Sequence, residues 1–259
     1  MQHVLGLDHV IVLVRDLDDA DARMARLGFR PTPRGYHSAH MGTANADPRA
    51  VLALREGPAG LAFKTDDAHG AADEFERAQI ATGGALAFVR PVELPAGAQD
   101  ARFTIARARA DATPGTMLFV CEHHTPDVVW REDYLHQPND ALGLLEVIGV
   151  ADDLAALADA YAVIFGNRVE RGDDRVAIAA GDASVTFLSP AAFATRFGAL
   201  GERLSAPRPR LAGLRVQVRT YDPIERLLLQ AGVPWARGYE GSMLVGPDAG
   251  CGTLFEFTC

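Results

Sequence analysis

The chain has 259 residues, 48% hydrophobic and 23% charged, an ordinary globular balance that excludes a disordered or fibrous protein. With 25 Lys+Arg against 34 Asp+Glu the formal net charge is −9, which leaves no surplus of basic residues to neutralise phosphates and argues against a nucleic-acid binder. Three scattered cysteines, Cys121, Cys251 and Cys259, form neither an even framework nor a CxxC pair, as expected in a reducing, cytoplasmic compartment.

The opening MQHVLGLDHVIVLVRD is apolar over too short a run for a signal peptide or a membrane span. Residues 5–15 instead alternate as a half-buried strand does, and Asp16–Asp19 cap a helix over 20–27 that Gly28 ends. The order then repeats. A strand at 60–65 leads through Asp66 and Asp67 to a helix over 68–80 and strands at 85–89, 101–108 and 117–121. A third copy has a strand at 143–150, caps at Asp152 and Asp153, a helix over 154–165 and strands at 168–171, 175–179 and 184–188. The fourth has a strand at 211–219, a helix over 224–231 started by Asp222 and Pro223, and strands at 235–239, 242–245 and 253–257. Four strand–helix–three-strand (βαβββ) units predict an α+β fold whose helices cover one side of curved mixed sheets. Two pairs of units make two domains, residues 1–139 and 140–259, with the boundary in the polar segment 131–140. The first unit is short, because residues 45–59 hold one strand or helical turn and no hairpin.

All eight histidines lie within the first 136 residues, so a His-ligated metal or a histidine acid–base would draw on the first half. The only lysine is Lys64, which leaves a single candidate for Schiff-base chemistry. His9 sits on the first strand, as a ligand or as a hydrogen-bonded residue at the sheet end. His123 and His124 end the 117–121 strand beside Glu122, and only one of the two can face a cavity because strand residues alternate. His37, His40 and Asn45 belong to a Gly/Thr/Asn-rich stretch that reads either as a binding loop or as a polar turn. Trp130 follows a helix start at Pro126 and Asp127, and reads as packing or as a stacking surface for a ligand. Cys121 and Cys259 have no feature of an activated nucleophile. Nucleophile-elbow, zinc-protease, P-loop and dinucleotide fingerprints are absent.

Three stretches carry a family resemblance: LDHVIVLVRDLDDADARMARLGFRPTPRGYH with HMGTAN (7–45), GLAFKTDD with its helix (60–80), and CEHHTPDVVWR with HQPN (121–139). They resemble the vicinal oxygen chelate (VOC) superfamily, and within it the third glyoxalase-like group. The resemblance implies two glyoxalase-type domains of βαβββ units. It also implies a concave sheet floor where a divalent metal (Zn, Ni, Mn or Fe) holds two vicinal oxygens of a small-molecule ligand. His9 matches the first metal position, and His123 matches the histidine of the group's QH-x-TP-E-x-x-W run. Glu122 would shuttle a proton or take the place of His123 at the metal, and His37, His40, Asn45 and Trp130 would contact the ligand. The match departs from the family at Ala59 and Leu61, where a ligand is due, and Glu56 reads as the approach to a strand. Glu146 and Glu256 give the second half a carboxylate pair without a histidine, which disfavours an extradiol-type dioxygenase there. Two readings follow. One is a metal-dependent lyase or isomerase acting on a small oxygen-rich or aromatic molecule. The alternative is a metal-free binding or sequestering protein, as in drug resistance. Uncovered sheet edges make a homodimer a natural arrangement.

Overall fold

The structure is a computed structural model that describes residues 1–32, 48–94, 97–204 and 207–259. Strand β1 (Leu7–Leu13) leads into α1 (Leu17–Arg26), whose start is set by Asp16: its carboxylate accepts the N–H groups of Asp18 and Asp19 at 2.8 and 3.0 Å. Gly28 ends that helix at φ +75°, and a Cβ there would lie 2.6 Å from Leu227 Cδ1 and 2.8 Å from Asn139 Cβ. Only glycine suits both the conformation and the space. The first half continues with α2 (Pro48–Leu54), β2 (Gly57–Lys64), α3 (Ala68–Arg77), β3 (Leu86–Leu94), β4 (Gly97–Arg107), β5 (Met117–His123) and the single turn α4 (Pro126–Val129).

The second half runs through β6 (Ala141–Val150), α5 (Leu154–Phe165), β7 (Val169–Arg171), β8 (Arg175–Ala180), β9 (Ala183–Leu188), α6 (Pro190–Phe197) and α7 (Ala199–Glu202). It closes with β10 (Arg210–Val218), α8 (Tyr221–Gln230), β11 (Trp235–Arg237), β12 (Met243–Val245) and β13 (Leu254–Thr258). Strands β1 to β5 form one sheet in the order β1-β2-β5-β4-β3, and the other eight form a second in the order β11-β12-β13-β10-β6-β9-β8-β7. The repeat is visible in the pairing. Each complete unit lays its first strand parallel to its last (β2 with β5, β6 with β9, β10 with β13), and paired units join through antiparallel first strands. This is the expected α+β architecture of curved mixed sheets, except that the first unit adds only β1 to its sheet among the described residues.

Alternating side chains send Leu61, Phe63 and Val120 of the first sheet and Val147, Ile178 and Phe187 of the second into one apolar cluster, with α3 and α5 packed among them. The Phe63 and Phe165 rings meet at 4.9 Å, and Tyr161 lies 5.5 Å from Phe187. Helix α1 crosses to the second half, where fully buried Leu27 packs with Val216, Ile224, Leu228 and Phe257. Asn139, inside the polar segment 131–140, is itself fully buried. Its amide donates to the Leu27 carbonyl at 2.9 Å and its Oδ1 accepts the Ala141 N–H at 3.1 Å, tying the end of α1 to the start of β6.

The expectation of helices on one side only is corrected in the second sheet. There α6 and α7 cover the other face, where Phe193 and Phe197 pack on Ile148, Val150 and Leu244. Helix α6 carries the N-cap signal of Ser189 and Pro190, but both helices lie outside the repeated unit.

Removing the Phe63 ring strands Phe165 across a shared core, so Phe63→Ala should cost about 3–5 kcal/mol. Urea unfolding followed at Trp130 and at Trp235, in separate single-tryptophan variants, should show both halves shifting to one lower midpoint.

Candidate functional site

The face of the first sheet turned away from the shared core collects the polar chemistry. Strand β1 pairs Leu7 with Phe63 and then His9 with Ala62, leaving Asp8 as an extra residue in a β-bulge. Regular alternation would send Asp8 and His9 to opposite faces; the bulge lets both serve one site. His9 Nδ1 lies 2.7 Å from Asp8 Oδ2, and His123 Nε2 lies 3.0 Å from the same oxygen. An ionised carboxylate only accepts, so both imidazoles donate to it. The Asp8 side chain is 1% exposed, that of His123 12% and that of His9 44%.

Burial pushes the Asp8 carboxyl up, but the hydrogen bonds and charge of His123 and His9 outweigh it and hold Asp8 well below the usual carboxylate range. Cys121 shares this face two residues before His123. Burial, with the Asp8 charge added, pushes its thiol up to about 12, so it is a neutral S–H at pH 7.

Among the described residues, Asp8, Cys121 and His123 form a group whose ligand atoms all lie within 4.8 Å of one another. The donor set fits a divalent transition metal: oxygen, sulfur and imidazole nitrogen together suit Zn or Fe, and three protein ligands leave a position for substrate. Two buried atoms of the group, Asp8 Oδ1 and His123 Nδ1, have no hydrogen-bond partner. Aromatic side chains wall the site: Phe103 meets His123 edge-on at 5.0 Å, Phe119 lies 5.9 Å from His9, and half-exposed Trp130 lies 5.7 Å from His123.

Of the residues singled out in the sequence, His9, His123 and Trp130 therefore come together. Glu122 does not join them. It faces the other side of the sheet, where Oε2 accepts the Ala68 N–H at 3.0 Å at the start of α3. His124 shares that side, its Nε2 2.8 Å from Thr104 Oγ1. Glu56, just ahead of β2, accepts the Arg15 N–H at 2.7 Å. His37, His40 and Asn45 lie outside the described residues. Asp8 and Cys121 were missed as site residues. The i, i+2 spacing of Cys121 and His123 was the available signal for the cysteine, whereas Asp8 becomes visible only through the bulge.

At the matching place on the second sheet, Glu146, Arg215 and Glu256 stand in one register row. The carboxylate pair is thus assembled, but Arg196 of α6 lies between its members, with Nη2 2.6 Å from Glu146 Oε2 and 2.5 Å from Glu256 Oε2. Ser242 Oγ donates to the other Glu256 oxygen at 3.1 Å. Burial alone would lower the Arg196 pKa; the two glutamates outweigh it and raise it. The guanidinium occupies the space between the carboxylates that a cation would otherwise take.

A family model described as a glyoxalase-like domain matches residues 7–47 and 47–165, more than half of the chain. No curated protein matches the chain by sequence. Among solved structures, a hypothetical protein from Staphylococcus aureus is similar over 85% of this chain and 73% of its own, with 9% identity and a TM-score of 0.56. A triple mutant of 4-hydroxymandelate synthase from Streptomyces coelicolor is similar over 98% of this chain and 92% of its own, with 16% identity and a TM-score of 0.59. The 2,3-dioxygenase LapB from Pseudomonas sp. KL28 is similar over 99% and 93%, with 11% identity and a TM-score of 0.54. At these identities the likeness is one of fold. No helix among the described residues is long and apolar enough to cross a membrane.

Two predictions follow from the site's electrostatics. Cys121 and Cys251 are buried with raised thiol pKa values while Cys259 is exposed. Titration of the native protein with Ellman's reagent near pH 8 should therefore find only the Cys259 thiol reacting promptly, and all three cysteines in denaturant. Asp8 ionises more readily folded than unfolded, so its contribution to stability is complete above the unfolded value of 3.8 and is lost as pH falls below it. Asp8→Asn should lower stability at neutral pH and flatten the loss seen below about pH 4 in urea titrations.

Proposed function

The chain belongs to the glyoxalase-like domain family of the VOC superfamily, and we propose that the concave face of its first sheet binds a small oxygen-rich or aromatic molecule as a metal-dependent lyase or isomerase. The observation that carries this reading is the buried Asp8 carboxylate held by two imidazoles beside Cys121, with Asp8 Oδ1 and His123 Nδ1 left unpartnered. Asp8, Cys121 and His123 are the residues that would hold the metal. When bound, a divalent metal supplies a Lewis acid that stabilises negative charge developing on substrate oxygens.

His9 is the proton carrier in this reading. Asp8 orients it through Nδ1, and its second ring nitrogen has no hydrogen-bond partner among the described residues. It takes the role first expected of Glu122, whose carboxylate serves the α3 start on the opposite face. Phe103, Phe119 and Trp130 exclude water from one side of the ligand and offer it planar apolar contact. The halves, residues 1–139 and 140–259, act as two domains, the first carrying the site and the second, closed by Arg196, serving as scaffold. The second reading, a metal-free binding protein, is favoured by β2. Its register brings Gly60 and Ala62 to the site's face, and neither can ligate a metal.

Elemental mass spectrometry on untagged protein separates the two. About one divalent metal per chain is expected in the wild type, as for a site of three protein ligands. Asp8→Asn and His123→Ala should lose it while keeping the wild-type circular dichroism. Absence of metal from the wild type would overturn the metalloenzyme reading in favour of the binding protein.

A further inference from the structure

Arg90 stands on the edge strand β3 with its side chain on the same face as the candidate site. Antiparallel pairing sets the face: Phe88 opposes Phe103, Phe103 opposes His123, and Arg90, two residues along from Phe88, opposes Ala101. The guanidinium lies 5.8 Å from the centre of the Phe103 ring, the ring that meets His123 on its other side. Its Nε is buried with no hydrogen-bond partner. Arg168, Arg210 and Arg215 also leave a buried nitrogen unpaired, but each donates through another nitrogen. Among the described residues Arg90 makes no hydrogen bond and no ion pair. Its contact with Phe103 is a cation–π contact, which leaves the buried Nε–H unsatisfied.

A chain with nine more acidic than basic residues has ample carboxylates to neutralise an arginine. Among the described residues none does, and the acidic group that they place on this face, Asp8, is already committed to His9 and His123. We propose that Arg90 is the anchor for a carboxylate on the ligand, so that the site takes planar, aromatic or unsaturated monocarboxylates. The proposal rests on the concave face being the ligand site and names its substrate class. A lone guanidinium matches one negative charge and binds a planar carboxylate through its fork, whereas a phosphate dianion would call for a second cation. Neighbouring strands lie about 4.8 Å apart and Arg90 stands two residues, about 6.8 Å, along β3 from the Phe88–Phe103–His123 row, so Arg90 and His123 are separated by roughly 12 Å of sheet floored by Phe103. A benzene ring bearing a carboxylate at one end and oxygen substituents toward the other bridges that span.

Isothermal titration calorimetry with 3,4-dihydroxybenzoate and its neutral counterpart 3,4-dihydroxybenzamide tests this. The wild type should prefer the carboxylate by about tenfold or more, as for a charge-assisted hydrogen bond. Arg90→Gln should bring the ratio close to one by weakening the carboxylate alone, and Arg90→Lys should restore part of it. An unchanged ratio in Arg90→Gln, no preference in the wild type, or no binding of either compound would overturn the proposal. Metal content of the same samples keeps the two readings apart. An Arg90-dependent preference in metal-free protein sinks only the metalloenzyme reading, and a metal-loaded protein with an Arg90-independent preference sinks only this one.

Discussion

Phe63 of the first sheet and Phe165 of α5 meet at 4.9 Å inside an apolar layer that claims one face of each sheet. Burying aromatic and branched side chains there supplies the dominant favourable term in folding. It also decides where chemistry can go. With the centres of the inner faces committed to each other and to α3 and α5, the opposite face of each sheet is the one left open to a cluster of polar side chains. Helix α1 and buried Asn139 reinforce the arrangement by fastening the first unit to the second half.

The two remaining faces have taken opposite courses. In the second sheet α6 and α7 lie across the concavity, with Phe193 and Phe197 filling it and Arg196 bridging Glu146 and Glu256. An uncompensated buried carboxylate costs several kcal/mol, so the arginine is what permits Glu256, 3% exposed, to stay. In the first sheet a turn of helix, α4, packs Val128 against the Phe103 side of the face, and the histidines retain partial exposure. The scaffold and the candidate site are thus two outcomes of one repeated unit.

Within the site, Asp8 is the pivot. A carboxylate at 1% exposure is tolerated because two imidazole N–H groups converge on one of its oxygens, and the same contacts hold it ionised. The arrangement orients both histidines and leaves the second Asp8 oxygen and the second His123 nitrogen unpartnered beside a neutral thiol. On the far side of Phe103, Arg90 adds a positive charge with no protein counter-ion among the described residues. With the Asp8–His123–Cys121 group at one end and a guanidinium without a counter-ion among the described residues at the other, this face is polarised along its length.

Local patterning carried most of the architecture. Alternation, Asp caps at Asp16, Asp67 and Asp153, and glycine stops at Gly28 and Gly166 are contained within a few residues each, so the repeated strand–helix–strands order is legible along the chain. The sequence also singles out His9 on the first strand, His123 at the end of β5 and Trp130 after α4, which the structure brings to one face. Pairing decided the rest. A bulge that no local pattern announces turned Asp8 toward His123, 115 residues away, while plain alternation turned Glu122 to the back of the sheet. Arg196 reached Glu256 across 60 residues from a helix that the repeat does not contain. Side-chain direction on a strand depends on register, and register is set by the partner strand; the sequence determined the elements, and only the tertiary structure decided which of their residues meet.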